Sequence, residues 1–311
     1  MIPPAQLPPP AGPGDRVGVA ALSGPVDPAR LEAGLAALRR LGFEPVVADN
    51  ALSRHGLFAM FAGSDAERLD AFHRLAADPS LSAIFFARGG HGLLRLLPAI
   101  DWDLLRRRPR AYIGYSDLTP FLLEVVRRLG LVTFHGSMVA ADLARGLRPE
   151  EEEALLGALA GRYPTEQPFS RWLREPVPGE EIRGPLLGGC LSLLTATLGT
   201  PFAPQLDGAL VFWEDLNEPP YKVDRMLTHL GLSGNLANIA GMIVGQIGNG
   251  QEGGSLDWPA LIGESVAGFS WPLAWGLPSG HFAPNWTLPL GLPARLASAD
   301  NAGLRLVLGE G

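Results

Sequence analysis

Gly114-Tyr115-Ser116-Asp117 closes an apolar run, Ala111 to Tyr115, and opens a helical pattern that continues from Leu118 to Leu129. A serine in a sharp strand-to-helix turn carries its hydroxyl at the rim of a sheet. The first N–H groups of the helix then point at whatever the hydroxyl attacks, and those donors, with the helix dipole, would stabilise an oxyanion formed there. This is the setting of a nucleophile elbow, although Leu118 stands where Gly-x-Ser-x-Gly requires glycine. The plainer reading is an N-cap, since serine before aspartate is common at helix starts.

Arg88-Gly89-Gly90-His91-Gly92 follows another apolar run, Ala83 to Ala87. Paired glycines after a buried strand let the backbone come close to a ligand. An N–H at Gly89 or Gly90 could complete an oxyanion pocket for Ser116; a simple tight turn is the alternative. The order is not Gly-x-Gly-x-x-Gly, so a dinucleotide site is not expected.

A serine nucleophile needs a base, and the base an orienting carboxylate. Of the six histidines, His73 and His229 fall within helical patterns and His55 lies in a loop without chemical neighbours. His91, His135 and His281 stay open on local sequence alone. Glu214-Asp215 directly follows the apolar run Ala209 to Trp213, where a carboxylate can be partly buried; Glu218, Tyr221, Asp224 and Arg225 follow at near-helical spacing, as a polar or salt-bridged face. His-Glu-x-x-His, paired cysteines and a P-loop are all missing from the sequence, so no metal or cofactor is expected.

The elements that must position these residues alternate. Apolar runs at Val17 to Leu22, Pro45 to Ala48, Ala83 to Ala87, Ala111 to Tyr115 and Leu131 to Phe134 read as strands. Pro28 to Leu41, Ala66 to Ala77, a segment after Gly92, and Leu118 to Leu129 read as helices, the first with Leu31, Leu35, Leu38 and Leu41 on one face. Such alternation predicts a doubly wound parallel sheet of flavodoxin or Rossmann type, with ligands beyond the carboxyl ends of the strands. Arg162 to Gly184, with Pro164, Pro168, Pro176 and Pro178 and no period, reads as a connection. The expected division is therefore residues 15–161, a linker over 162–184, and a second domain over 185–311. In that domain strands are expected at Ala209 to Trp213, Met242 to Ile247 and Leu304 to Leu308, a helix near Lys222 to Leu230, and a mobile loop at Gly248 to Gly254.

The whole chain sets outer bounds. Its 311 residues suit two domains, and 25 Lys plus Arg against 32 Asp plus Glu give a net charge of −7. Such a surface has no general attraction for nucleic acid or anionic lipid. Cys190 is the only cysteine, which precludes an internal disulfide and is compatible with a reducing compartment. The amino terminus lacks the basic and apolar regions of a secretory signal, and no apolar run reaches the roughly 20 residues of a membrane span. A soluble, cytoplasmic protein is expected.

Taken together and in order, these segments resemble the LD-carboxypeptidase family, serine peptidases that include muramoyltetrapeptide carboxypeptidase and the microcin C immunity protein. The matching residues are Phe61-Ala62-Gly63 with Arg68-Leu69-Asp70, Ala87-Arg88-Gly89-Gly90, Gly114-Tyr115-Ser116-Asp117, Gly188-Gly189, Glu214-Asp215 with Glu218, Tyr221, Asp224 and Arg225, and Gly280-His281. The resemblance implies a smaller, strand-rich α/β domain after the doubly wound one. It implies a triad of Ser116, Glu214 and His281, with an oxyanion hole of backbone N–H groups from Asp117 and Gly89 or Gly90. Arg88, His91 and Tyr115 are the expected substrate contacts, Arg88 as donor to a free carboxylate unless it pairs with Asp117. Two positions depart from the family: His91 stands where tyrosine is usual, and Cys190 where asparagine is usual. The implied reaction, one of cell-wall peptide recycling, releases terminal D-Ala from a murein tetrapeptide at its L,D bond. An immunity-type hydrolase acting on a peptidyl- or aminoacyl-nucleotide such as microcin C is the alternative, and a non-catalytic small-ligand binder is the alternative of another class. Neither nucleic acid nor membrane is an expected partner; a homodimer is allowed.

Overall fold

The computed structural model describes residues 3–163, 167–178, 181–248, 256–298 and 304–309; beyond Gly248, the expected loop at Gly248 to Gly254 lies outside these. By compactness the chain forms two units, Met1–Arg162 with Pro284–Pro289, and Tyr163–Ala283 with Leu290–Gly311.

The first unit contains β1 (Arg16–Ala20), α1 (Pro28–Arg40), β2 (Glu44–Val47), α2 (Asp65–Ala77), β3 (Leu81–Phe86), α3 (Trp102–Arg107), β4 (Ala111–Gly114), α4 (Thr119–Leu129), β5 (Thr133–His135) and α5 (Pro149–Leu159). Local signals set the helix starts. Asp27 accepts from the Arg30 N–H ahead of Pro28, and Ser64 and Glu67 form a reciprocal capping box at α2. The predicted face of α1 is inside: Leu31, Leu35, Leu38 and Leu41 are all buried. The segment after Gly92 differs from the single helix expected. It makes two 3-10 turns, Leu93–Arg95 and Leu97–Ala99, before α3, because Pro98 has no N–H to donate to the carbonyl four residues back that a continuous α-helix would use.

Strands β1 to β5 pair in parallel throughout, in the order β2-β1-β3-β4-β5. Strand order reverses between β1 and β3, the switch point at which flavodoxin-like sheets open a crevice. The sheet is extended beside β5 by a strand from much later in the chain, Leu288–Leu290. That return is packed tightly: a Cβ on Gly136 would lie 2.8 Å from the Thr287 hydroxyl, and the Asn285 N–H donates to Glu151 on α5 at 2.7 Å.

The second unit comprises β6 (Gln167–Phe169), β7 (Arg171–Arg174), β8 (Ile182–Cys190), α6 (Leu191–Ala196), β9 (Leu210–Leu216), α7 (Pro220–Leu232), β10 (Gly241–Gly248), α8 (Trp258–Ser265), β11 (Leu273–Trp275), β13 (Pro293–Ser298) and β14 (Leu304–Leu308), the strand Leu288–Leu290 being β12. Its sheet runs β6-β14-β13-β8-β9-β10-β11-β7. Strands β8 to β11 are parallel, and antiparallel pairings flank them on both sides. The segment read as a linker is thus corrected in part, since it carries β6, β7 and the start of β8. Its prolines misled because edge strands tolerate them: β6 and β7 are the two edges, Pro168 lies in β6, and Pro176 and Pro178 follow β7. The core is built on Val211, Phe212 and Trp213 of β9 and Met242, Ile243 and Val244 of β10, all at most 1 % exposed. Gly188 lets β8 run beside them: its φ is +134°, and a Cβ there would stand 1.7 Å from the Phe212 carbonyl oxygen.

Candidate active site

The first unit holds Ser116 in a strained turn between strand and helix. Tyr115 is extended, Ser116 has φ +61°, and Ser116–Leu118 is a 3-10 turn leading into α4. Positive φ in a residue with a Cβ costs about 1–3 kcal/mol and persists only where the surroundings impose it. The N-cap reading does not hold, because no side chain caps this turn or the start of α4. The Asp117 carboxylate instead accepts from the Leu93 N–H at 3.0 Å, on the neighbouring loop.

That loop reaches Ser116 because Gly89 has no side chain. A Cβ there would lie 2.9 Å from the Ser116 Cβ, 3.0 Å from its Oγ and 3.5 Å from the Asp117 nitrogen. Gly90 has φ +116°, and the Gly89 carbonyl accepts from the Gly24 N–H at 3.2 Å, fastening the loop after β3 to the one after β1. The backbone of Gly89 and the start of the turn at Asp117 therefore flank the serine side chain.

The three expected substrate contacts differ in setting. Arg88 is exposed and donates to the Pro25 carbonyl at 3.1 Å. His91 is exposed, its ring 5.8 Å from that of Phe61. Tyr115 is buried, its ring 5.6 Å from that of the fully buried His135 and its side chain hydrogen-bonded to Asp142. Burial pushes the Asp142 carboxyl above its usual range, opposed by the Met138 N–H at 3.1 Å and by Arg145.

The second unit supplies a histidine–carboxylate pair. Glu214, near the end of β9, is fully buried, and its Oε2 lies 2.5 Å from Nδ1 of His281. The approach depends on Gly280, whose φ is +145° and whose Cβ would meet Glu214 Oε2 at 3.0 Å. The histidine loop is pinned to β10 by Gln246: its Oε1 accepts from the Phe282 N–H at 2.7 Å, and its own N–H donates to the Ser279 carbonyl at 3.1 Å. Asp215 points elsewhere, accepting from the N–H groups of Ser192 (2.7 Å) and Leu216 (2.8 Å). Cys190 is the register partner of Glu214. Burial, followed by the charges of Glu214 and Asp215, pushes its thiol pKa well up, so it is a neutral group, with Sγ 3.2 Å from the Ser192 hydroxyl.

Chemically, the first constellation offers a hydroxyl beside backbone donors, and the second an imidazole held through Nδ1 by a carboxylate, which directs base chemistry to Nε2. The pairing at Nδ1 singles out His281 among the histidines left open by local sequence. Gln246 was overlooked; the signal for it is a polar residue inside the apolar run Met242 to Ile247. Among the described residues no group of three or more His, Cys, Asp or Glu is placed to hold a metal, and no helix is long and apolar enough to cross a membrane.

A parallel sheet with an elbow serine and a buried histidine–glutamate pair are features of an α/β hydrolytic enzyme, and comparison with known proteins agrees. Residues 17–136 match the LD-carboxypeptidase N-terminal domain and residues 183–296 the LD-carboxypeptidase C-terminal domain. The chain belongs to the LD-carboxypeptidase family and is a peptidase. It is 35 % identical over 299 residues to the "Probable murein peptide carboxypeptidase" of Bacillus subtilis, covering 94 % of this chain and 91 % of that one. It is 26 % identical over 311 residues to the Microcin C7 self-immunity protein MccF of Escherichia coli, covering 90 % and 89 %. The crystal structure of muramoyltetrapeptide carboxypeptidase from Oxalobacter formigenes superposes with a TM-score of 0.81 at 28 % identity, covering 95 % of this chain and 99 % of that one.

Proposed function

We propose that the protein is a serine-type carboxypeptidase that releases terminal D-Ala from a murein tetrapeptide in the cytoplasm, with Ser116 as nucleophile, His281 as base and Glu214 as its orienting carboxylate. The observation that carries this reading is the 2.5 Å contact between His281 Nδ1 and the buried Glu214, the arrangement a general-base histidine requires. The strained Ser116 and its approach to Gly89 support the nucleophile, and the relatives named for murein peptides support the substrate.

In this mechanism His281 takes the Ser116 proton as Oγ attacks the last peptide carbonyl, and the N–H groups of Asp117 and of Gly89 or Gly90 hold the oxyanion. The tetrahedral intermediate collapses as His281 returns the proton to the leaving nitrogen, freeing D-Ala. Water, deprotonated by the same imidazole, then attacks the ester and releases the shortened peptide. Arg88 and His91, both exposed, would meet the substrate, Arg88 at its free carboxylate. Ser116→Ala is expected to lower D-Ala release from a tetrapeptide ending in meso-diaminopimelyl-D-Ala by at least about 1,000-fold, with an unchanged circular dichroism spectrum. Wild-type turnover by that variant refutes the proposal. The likeness to an immunity protein supports a second reading, hydrolysis of an aminoacyl-nucleotide; faster turnover of an aminoacyl-sulfamoyl nucleotide than of the tetrapeptide would establish it instead.

A further inference from the structure

Arg68, on α2, is fully buried although its guanidinium is charged. Its Nη1 donates to the Leu22 carbonyl after β1 and, at 3.2 Å, to the Gly92 carbonyl after β3; its Nη2 lies 2.5 Å from Asp65. The Phe61 ring covers it, with the guanidinium carbon 4.9 Å from the ring centroid. Gly92 is small out of necessity, since a Cβ there would stand 2.7 Å from the Phe61 ring and 2.8 Å from Arg68 Nη1. Across the next bond, the Leu93 N–H donates to the carboxylate of Asp117, which is 2 % exposed. One peptide unit therefore accepts from a buried cation at its oxygen and donates to a buried anion at its nitrogen. Such charge-assisted bonds, shielded from water, are strong, and each polarises the other through the amide.

This unit joins the two turns that flank Ser116. One end of the Arg88 to Leu93 loop is seated against Ser116 at Gly89, and the other is tied to the residue after Ser116. We propose that Arg68 and Asp117, acting through the Gly92–Leu93 peptide, are positioning residues that hold the two donor-bearing turns of the oxyanion pocket at a fixed separation. The inference rests on the serine mechanism and adds to it a role for the Asp117 side chain, distinct from that of its backbone N–H. A small displacement of these donors spares the bound substrate and penalises the developing oxyanion, so the loss falls on kcat.

The test measures kcat, KM and thermal unfolding for Arg68→Met, Asp117→Ala and the double variant, on the tetrapeptide ending in meso-diaminopimelyl-D-Ala. Each single change should lower kcat about 10- to 100-fold with KM within about threefold. The double variant should fall no further than the worse single, because both remove one relay. If Arg68→Met does not fold, Arg68→Lys replaces it: lysine keeps the charge without the fork that reaches both carbonyls and Asp65, and kcat should still fall. A single variant with kcat within twofold of wild type, or losses that multiply, overturns the inference. Ser116→Ala in the same assay tells failure of the relay from failure of the serine mechanism. Retained activity there ends the serine mechanism, whereas an inactive Ser116→Ala beside an undisturbed kcat in Arg68→Met ends only the relay.

Discussion

Ser116 holds a backbone conformation that its own side chain disfavours, and the neighbours that impose it are few and identifiable. Gly89 is the closest. Alanine there would push a methyl against Ser116 Cβ and Oγ at 2.9 and 3.0 Å, tighter than real contacts allow, so either the serine or the loop must move. Gly89→Ala is accordingly expected to lower kcat about 100-fold or more while leaving most of the thermal stability intact. The measurement is kcat beside a melting curve, and unchanged kcat would show that the contact of Gly89 with Ser116 does not matter for turnover. Departures from the family pattern have ordinary settings at this scale. Cys190 is buried and neutral beside Glu214, and His91 is exposed against Phe61.

Among the elements, α5 and the returning segment ahead of β12 are joined by one side chain. Glu151 is fully buried and accepts from Arg145 at 2.7 Å and from the N–H groups of Arg148 (2.8 Å) and Asn285 (2.7 Å). Burial alone would raise its pKa; Arg145 and the two N–H donors outweigh burial and bring it below the ordinary 4.5. A carboxylate whose pKa is lower when folded stabilises the protein above the unfolded value and loses that contribution as pH falls through the folded value. Glu151→Gln should therefore cost about 1–3 kcal/mol at pH 7, with the deficit shrinking below pH 4.5. Melting temperatures of both proteins between pH 3 and 7 check this; a deficit independent of pH would assign the loss to packing.

At the scale of the whole molecule the chain leaves the first unit at Arg162 and re-enters it for Pro284–Pro289. The first unit is thus incomplete as a continuous piece of sequence. A fragment ending at Arg162 would lack the strand beside β5, the Thr287 side chain over Gly136 and the Asn285 donor to Glu151. It should unfold at a lower temperature than the full chain and less cooperatively, as monitored by circular dichroism. A fragment melting as sharply and as high as the intact protein would show that the return is dispensable.

Much of this was legible in the residues themselves. Apolar runs alternating with helical periods determined the parallel sheet, because burial on both faces demands uninterrupted apolar strands. Capping residues determined where α1 and α2 begin, and the ordered motifs determined the family. All of these are short-range properties of the chain. The partners of the chemistry are not: Glu214 meets His281 across 67 residues, Asp117 meets Leu93 across 24, and Arg68 meets Gly92 across 24. The family resemblance had named Glu214 and His281 as partners; tertiary structure alone decided the ties of Asp117 to Leu93 and of Arg68 to Gly92, along with the strands inside the proline-rich segment and the late strand that borders β5. The physical reason is that a hydrogen-bond partner brought in by chain closure leaves no periodic trace in sequence, whereas a buried face repeats its signal every turn or every second residue.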